Sequence, residues 1–360
     1  MRVALLHPTY WPEVRRGAER LVHDVAEWLT GAGHEVTVLT THRSGATIAH
    51  EDGFRVVRAW RPPDRILQRR AYEDYLGTVP AQVLGVAKGD FDVAQGFFPV
   101  SAWAAQQARA AGGPPVVYSK LGIPTRNYLV ARRYRLPMNL SLAREAAECS
   151  VLSEAAAAPF RRYLLRDPEV IPPGVRCADF EVDEPRAEQP TIVYAGSPSD
   201  PRKRLPLLVE AFTTLRRSRP DLRLQIAGRR EPWFRFDLPD GAEWVDGDRT
   251  DALARTLAAA HVAALPAVHE AFGLVLAEAL AAGTPVVAAD SGASPEIVTP
   301  AVGRLFAPDD VDALVRALEE TLDLGDVRDA CRAHARQWDW DVIGPRYEDL
   351  LVRAAAHGPA

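Results

Sequence analysis

The strongest constraint on the fold is an order of segments that occurs twice, far apart in the chain. Residues 3–6 are a short apolar run, and the loop of residues 7–18 that follows contains Pro8, Pro12 and Gly17. Leu21, Val25, Trp28 and Leu29 then recur at helical spacing, Gly31 and Gly33 stop the helix, and residues 36–40 form a second apolar run. The order returns with residues 191–195, a loop at 196–206, a helical stripe of Leu208, Ala211, Phe212 and Leu215, and an apolar run at 222–227 that ends at Gly228. Strands that are continuously apolar, not alternating, are buried on both faces, as in a parallel sheet covered by helices. Found twice, the pattern predicts an α/β chain of two doubly wound, Rossmann-like domains.

The length of 360 residues allows two domains at the usual ~150 residues each. A chain 47% hydrophobic and 25% charged is globular, which excludes a disordered or collagen-like chain. Residues 166–190 hold prolines at 168, 172, 173, 185 and 190 and read as a linker, so the domains are expected at 1–170 and 171–339. Residues 338–353, with Trp340, Ile343, Tyr347 and Leu350, read as a further amphipathic helix. Cys149, Cys177 and Cys331 are odd in number and widely spaced, which argues against a disulfide framework or a zinc cage and for a reducing, cytoplasmic setting. The apolar run near Met1 is too short for a signal peptide, and no stretch approaches the ~20 apolar residues of a membrane helix.

The net charge of -5 conceals an asymmetry. Residues 1–165 carry 21 Lys and Arg against 15 Asp and Glu, whereas residues 166–360 carry 22 against 33. A basic first half fits an anionic partner, and it equally fits ordinary surface scatter. Arg126, Tyr128, Arg132, Arg133, Tyr134 and Arg135 form one basic cluster, and Arg55, Arg58, Arg61, Arg65, Arg69 and Arg70 another. A solvated arginine-rich face is the simpler reading of both.

Residues 265–306 carry the chemistry. A strand ends at Leu265, a loop spans 266–272, Gly273 frees the backbone, and a helix is predicted from Leu274 to about residue 282. The N-terminus of such a helix offers unpaired N–H donors and a positive dipole end to a phosphate. Glu270 stands just before the helix and Glu278 one turn inside it, flanked by Ala277 and Ala279. An acid on an apolar face needs a partner: a ribose diol would serve, and so would a local arginine.

This segment resembles the signature of retaining glycosyltransferases of family 4, in the GT-B group. The resemblance rests on Glu270 and Glu278 with seven residues between them, Phe272-Gly273-Leu274, Glu278-Ala279, Gly283, Pro285-Val286-Val287, Gly292, Glu296-Ile297-Val298 and Gly303. Arg16-Gly17-Ala18-Glu19 with Gly33-His34-Glu35-Val36, the run Ile171-Pro172-Pro173-Gly174-Val175, Tyr194-Ala195-Gly196 with Lys203, and Trp338-Asp339-Trp340 extend it along the chain. It implies a GT-B fold whose two domains face each other across a cleft. The first domain would bind the acceptor, the second would bind a nucleotide-sugar donor, and the helix at about 340–360 would pack back onto the first. The donor-binding residues it implies are Gly17, Ser197, Arg202, Lys203, Glu270, Ala271, Phe272, Gly273, Leu274, Val275 and Glu278, with Glu270 and Lys203 catalytic. The reaction it implies retains anomeric configuration and uses no metal and no cofactor, only a UDP-, GDP-, ADP- or TDP-linked sugar as substrate. The acceptor would be anionic or lipid-linked, with peripheral contact at the inner membrane face and no nucleic acid.

The chain departs from the family at Ser197, where an arginine is usual, so that Arg202 or Arg204 would have to supply a second cation. It also has Arg16 in place of a loop glycine and Ser119-Lys120 where relatives place a histidine. A GT-B-fold epimerase and a nucleotide-sugar-binding protein without transfer activity are the alternatives. Asp90-Phe91-Asp92 reads as a surface turn, His269 as a loop-shaping residue, and the nine histidines show no recognised metal spacing.

Overall fold

A computed structural model describes residues 1–14, 16–61, 75–228 and 234–358. The chain divides into two compact units, Met1–Gly174 with Ile343–Ala360, and Val175–Val342. The first break follows Gly174, a few residues beyond the boundary expected at 170.

In the first unit the described strands are β1 (Arg2–Leu6), β2 (Glu35–His42), β3 (Thr47–Glu51), β4 (Phe54–Trp60), β5 (Val93–Gly96), β6 (Val116–Lys120), β7 (Glu148–Val151) and β8 (Glu169–Val170). They form one sheet in the order β3-β4-β2-β1-β5-β6-β7-β8. Val3 of β1 pairs in parallel with Val36 on one side and Val93 on the other, and β1 is fully buried from Val3 to Leu6. Only β3 runs antiparallel, as a hairpin with β4 turned by Asp52 and Gly53, both at positive φ. The helix Gly17–Gly31 makes the first crossover.

The helix Trp340–Ala355 follows its predicted span closely, and from Ile343 it belongs to the first unit. Gly344 lies against the ring of Trp28, where a Cβ would approach to 2.1 Å, so only glycine fits there. Its Glu348 meets His34 Nε2 at 2.8 Å, and Tyr347 donates its hydroxyl to the Ile171 carbonyl at 3.4 Å.

The second unit holds β9 (Thr191–Ala195), β10 (Arg223–Ala227), β11 (Ala242–Val245), β12 (Val262–Leu265), β13 (Val286–Ala289) and β14 (Gly303–Phe306). Their order is β11-β10-β9-β12-β13-β14, and every pairing is parallel. The predicted stripe of Leu208, Ala211, Phe212 and Leu215 is buried in the core of this sheet together with Ile192, Leu224, Ile226 and Leu318.

Two expectations are corrected. The proline-rich stretch 166–190 is no plain linker: it contributes β8 and the short helix Cys177–Phe180, and Ile171, Val175, Cys177 and Phe180 are fully buried. Arg58 and Arg61 are not part of a solvated face, being 6% and 1% exposed. Arg58 donates to both oxygens of Glu51 at 2.7 Å, and Arg61 pairs with Glu13. A buried guanidinium is tolerable only when its charge and donors are met in this way. Arg65, Arg69 and Arg70 lie outside the described residues.

Candidate functional site

In the second unit the strand order reverses between β9 and β12: the chain steps outward from β9 to β10 and β11, then returns to β12 on the other side. Loops at the carboxyl ends of two such strands part in opposite directions and leave a crevice between them. The loop after β9 carries Ser197, Arg202 and Lys203, and the loop after β12 carries Glu270 to Gly273. The two loops meet at this point: the Val268 N–H donates to the Arg202 carbonyl at 3.0 Å. Lys203 Nζ lies 2.5 Å from Glu270 Oε1, with the two side chains 19% and 13% exposed. The two residues expected to be catalytic are therefore in contact although 67 positions apart in the chain.

The backbone of Glu270 is held from the loop that follows β13. The Ala293 N–H donates to the Glu270 carbonyl at 2.9 Å, and the neighbouring His269 N–H donates to Ser291 Oγ at 3.1 Å. Gly292 makes this possible. It has φ +61°, and a Cβ there would lie 2.2 Å from the Glu270 carbonyl oxygen. After Glu270 the chain turns through Gly273 at φ +94° into the helix Leu274–Ala281, which no side chain caps. Leu274 and Val275, both partly exposed, stand in its first turn, where N–H groups lack intrahelical partners. Phe272 is buried and meets the Trp338 ring edge-on, with centroids 5.9 Å apart. Ala271 is partly exposed.

Glu278 is 1% exposed, and its neighbours Leu276, Ala277, Ala279 and Leu280 are buried with it. Ser197 is exposed. The proposed replacement cations are already engaged: Arg202 donates to Asp200 at 2.7 Å, and Arg204 to Asp309 at 2.7 Å. Burial pushes the Asp200 carboxyl up, but the hydrogen bonds it accepts from Arg202 outweigh this and hold it below its usual value. Lys203 is thus the cation of this loop that faces a candidate catalytic carboxylate.

The first unit has the same reversal between β1 and β5, and buried polar groups stand at the ends of its strands. His7 is 3% exposed and donates from Nδ1 to the Thr9 carbonyl at 2.7 Å, while the Thr9 hydroxyl donates to Glu19 Oε1 at 2.6 Å. Gln95 donates to Ser119 Oγ at 2.8 Å, and Ser119 and Ser150 share a hydrogen bond of 2.7 Å. His7 Nε2, Glu19 Oε2, Gln82 Oε1 and Gln95 Oε1 are buried without a hydrogen-bond partner. Gly17 opens its helix with nothing within 4 Å of the place its Cβ would take. Lys120 is 5% exposed, its ammonium 4.4 Å from the centre of the Tyr128 ring, and Arg135 approaches the same ring at 4.6 Å. Asp92 is tied to Arg2 at 2.7 Å, in keeping with a turn that closes on the strand beside it.

Sequence reading missed this polar set in the first unit. Its members are single residues in strands and helices that only the sheet order brings together. The signal available was polar interruption of apolar runs, at Gln95 and at Ser119-Lys120.

Loops at such reversal points are where open α/β sheets bind ligands, and sequence relatives give the class of protein. Residues 177–338 match the family described as Glycosyl transferases group 1, and residues 16–174 match the Glycosyl transferase 4-like domain. The chain is 31% identical over 313 residues to the MMP alpha-(1->4)-mannosyltransferase of Mycolicibacterium hassiacum, covering 77% of this chain and 75% of that protein. It is 27% identical over 366 residues to the phosphatidyl-myo-inositol mannosyltransferase of Propionibacterium freudenreichii, covering 96% and 93%. The protein belongs to the glycosyltransferases of group 1, family 4 type. Its fold is GT-B: sucrose-phosphate synthase from Thermosynechococcus elongatus superposes with a TM-score of 0.82 over 99% of this chain and 100% of that one, at 22% identity.

Proposed function

We propose that the protein moves a hexosyl group from a nucleotide sugar to an acceptor hydroxyl with retention of anomeric configuration, using neither a metal ion in the reaction nor a cofactor. The observation that carries the reading is the Lys203–Glu270 pair in front of the uncapped helix Leu274–Ala281. Departure of a nucleoside diphosphate builds negative charge on phosphate and positive character on the sugar. Lys203 and the N–H groups of Leu274 and Val275 offset the first. Glu270 holds sugar hydroxyls and favours the second. Lys203 and Glu270 neutralise each other in their ion pair, so donor binding would exchange that pair for two contacts with the substrate. Gly17, Ser197, Arg202, Ala271, Phe272 and Gly273 shape the donor's surroundings, and Glu278 accepts hydrogen bonds from the ribose. Holding the acceptor hydroxyl against the anomeric carbon supplies much of the remaining rate.

The names of the relatives make mannose the first sugar to test, with UDP-, GDP-, ADP- and TDP-linked donors compared. Phosphatidyl-myo-inositol in one of those names makes an anionic, lipid-linked acceptor the first acceptor class. Contact would then be peripheral, at the inner face of a membrane; among the described residues no helix is long and apolar enough to cross one.

A donor screen by thermal shift tests the reading, because a ligand at a hundred times its Kd stabilises by about 2.7 kcal/mol. Release of nucleoside diphosphate that rises with added acceptor is the expected result. The engagement of Arg202 and Arg204 by other carboxylates favours a second reading, binding without transfer. Stabilisation by a donor with no release under any acceptor would establish that reading in place of the first.

A further inference from the structure

His23, Asp24 and Glu27 lie on one helix and present three ligand atoms within 4.8 Å of one another. Nδ1 of His23 stands 3.5 Å from Asp24 Oδ1 and 3.8 Å from Glu27 Oε2. His23 is 7% exposed, and this Nδ1 has no hydrogen-bond partner. Its other nitrogen, Nε2, is 3.0 Å from Asp52 Oδ2, in the turn between β3 and β4. A carboxylate only accepts, so Nε2 carries the proton and donates it. Nδ1 then faces two carboxylates, an arrangement that calls for positive charge between them, either a second ring proton or a metal ion; burial pulls the ring's pKa down, but Asp24 and Asp52 outweigh it and raise it. Trp11 stacks on the ring at a centroid distance of 4.1 Å and Phe54 meets it edge-on at 5.7 Å, so the ring is fixed in this orientation.

We propose that His23 Nδ1, Asp24 and Glu27 bind a divalent transition-metal ion, and that Asp52 orients His23 for it. The distances suit a metal better than a shared proton. With metal–ligand bonds of about 2.1 Å, separations of 3.5 and 3.8 Å correspond to angles of roughly 110–130° at the ion, close to tetrahedral. A ring whose second N–H is donated to a carboxylate is the usual support of a ligating histidine. One imidazole with two carboxylates suits Zn²⁺ or Mn²⁺. Asp24 and Glu27 also bring negative charge to a helix flank where Arg20, 3.7 Å from Asp24, is a nearby cation. Glu27 is 39% exposed at its side chain, which leaves a way in for the ion. The bound ion would tie the helix Gly17–Gly31 to the β3–β4 hairpin through His23 and Asp52. It would support the first unit without entering the transfer reaction.

The test uses the full chain, stripped with a chelator and titrated with Zn²⁺ and with Co²⁺ as a spectroscopic probe. The expected result is one Co²⁺ per chain with the visible absorption of a four-coordinate N/O site, displaced by Zn²⁺. Saturating Zn²⁺ should raise Tm by roughly 5–10 °C at a hundredfold excess over Kd. Glu27→Gln, at a partly exposed position that leaves the fold intact, and His23→Gln should each abolish the absorption. Asp52→Asn should keep the ligands but weaken binding about 10–100-fold. Absence of saturable binding to the wild-type chain would overturn the proposal and assign the Nδ1 position to a proton. Binding unchanged in Glu27→Gln and His23→Gln would overturn it as well, by placing the metal on other residues.

Discussion

The two units share a sheet order at their centres and differ in what stands at the point of reversal. In the second unit that point is charged and partly open: Lys203 and Glu270 meet at 2.5 Å with 19% and 13% of their side chains exposed. In the first unit it is polar and closed: His7 is 3% exposed, Gln95 0%, Ser119 2%, Glu19 4% and Lys120 5%. A partly exposed ion pair can be exchanged for a charged ligand at little cost, because water already screens it. A buried set with unpartnered acceptor atoms gains instead from a ligand that brings hydroxyl donors. On the proposed function, the second unit's site would meet a departing anion and the first unit's polar set would meet acceptor hydroxyl groups.

The largest expected effect falls on the charged side. Glu270→Gln keeps shape and removes charge, so it should lower kcat on the order of 100-fold while changing the KM for donor much less. Glu278→Gln removes the contact proposed for the ribose, a part of the donor that does not react, and should raise KM with kcat less affected. Steady-state kinetics normalised to folded protein separate the two. If both variants instead lose melting temperature with kinetics per folded molecule intact, the glutamates serve the fold and the contrast between the units collapses.

Lys203→Ala comes next. A charge-assisted contact is worth about 1.5–3 kcal/mol, so nucleoside diphosphate binding should weaken roughly 10–150-fold while nucleoside binding changes little. Calorimetric titration with both ligands reads this out. Equal losses would show that Lys203 serves only to hold Glu270.

Much of this was legible in the sequence. The apolar runs at 3–6, 36–40, 191–195 and 222–227 became β1, β2, β9 and β10 because a continuous run between turn signals leaves a buried parallel strand few rivals. Glu270, Gly273 and Glu278 were visible because their meaning lies in spacing along one segment. What could not be read depended on distant partners. Arg58 and Arg61 looked like surface charge because nothing near them announces Glu51 across a hairpin or Glu13 in the first loop. Arg204 looked available because nothing near it announces Asp309, 105 positions away. The cluster at His23 is completed by Asp52, 29 residues away, whose Asp-Gly turn is legible locally but whose reach to His23 is not.

Two glycines compare the units at the level of the backbone. Gly292→Ala in the second unit places a Cβ against the Glu270 carbonyl at positive φ, and should cost about 1–3 kcal/mol of stability along with much of the activity. Gly17→Ala in the first unit meets no atom within 4 Å, and should leave Tm unchanged or slightly raised. Thermal melts and turnover of the two variants check both statements. Activity lost in Gly17→Ala at full stability would mean that a substrate occupies the space beside it.

The smallest expected effect is on stability against pH, and it arises differently in each unit. Burial lowers the His7 pKa below 6.5, against the pull of Glu19 and the Thr9 carbonyl. Burial also lowers the His261 pKa, and Arg186 adds to the effect. Both rings are therefore held neutral in the fold, His7 as a donor to Thr9 and His261 as an acceptor from the Thr191 N–H at 3.2 Å. Above pH 6.5 neither costs anything, because the unfolded chain is neutral there too. As pH falls below that value the unfolded chain takes up protons that the fold refuses, so stability declines until the folded pKa values are reached. His7→Gln removes this proton from the first unit and should flatten its decline between pH 7 and about 5.5, with the protection of β1 amides as the measure. His261→Asn keeps an acceptor for Thr191 and should do the same for β9 amides only. If either variant flattened the decline in both units equally, the units would be unfolding as one, and the two halves of the fold would share a single stability.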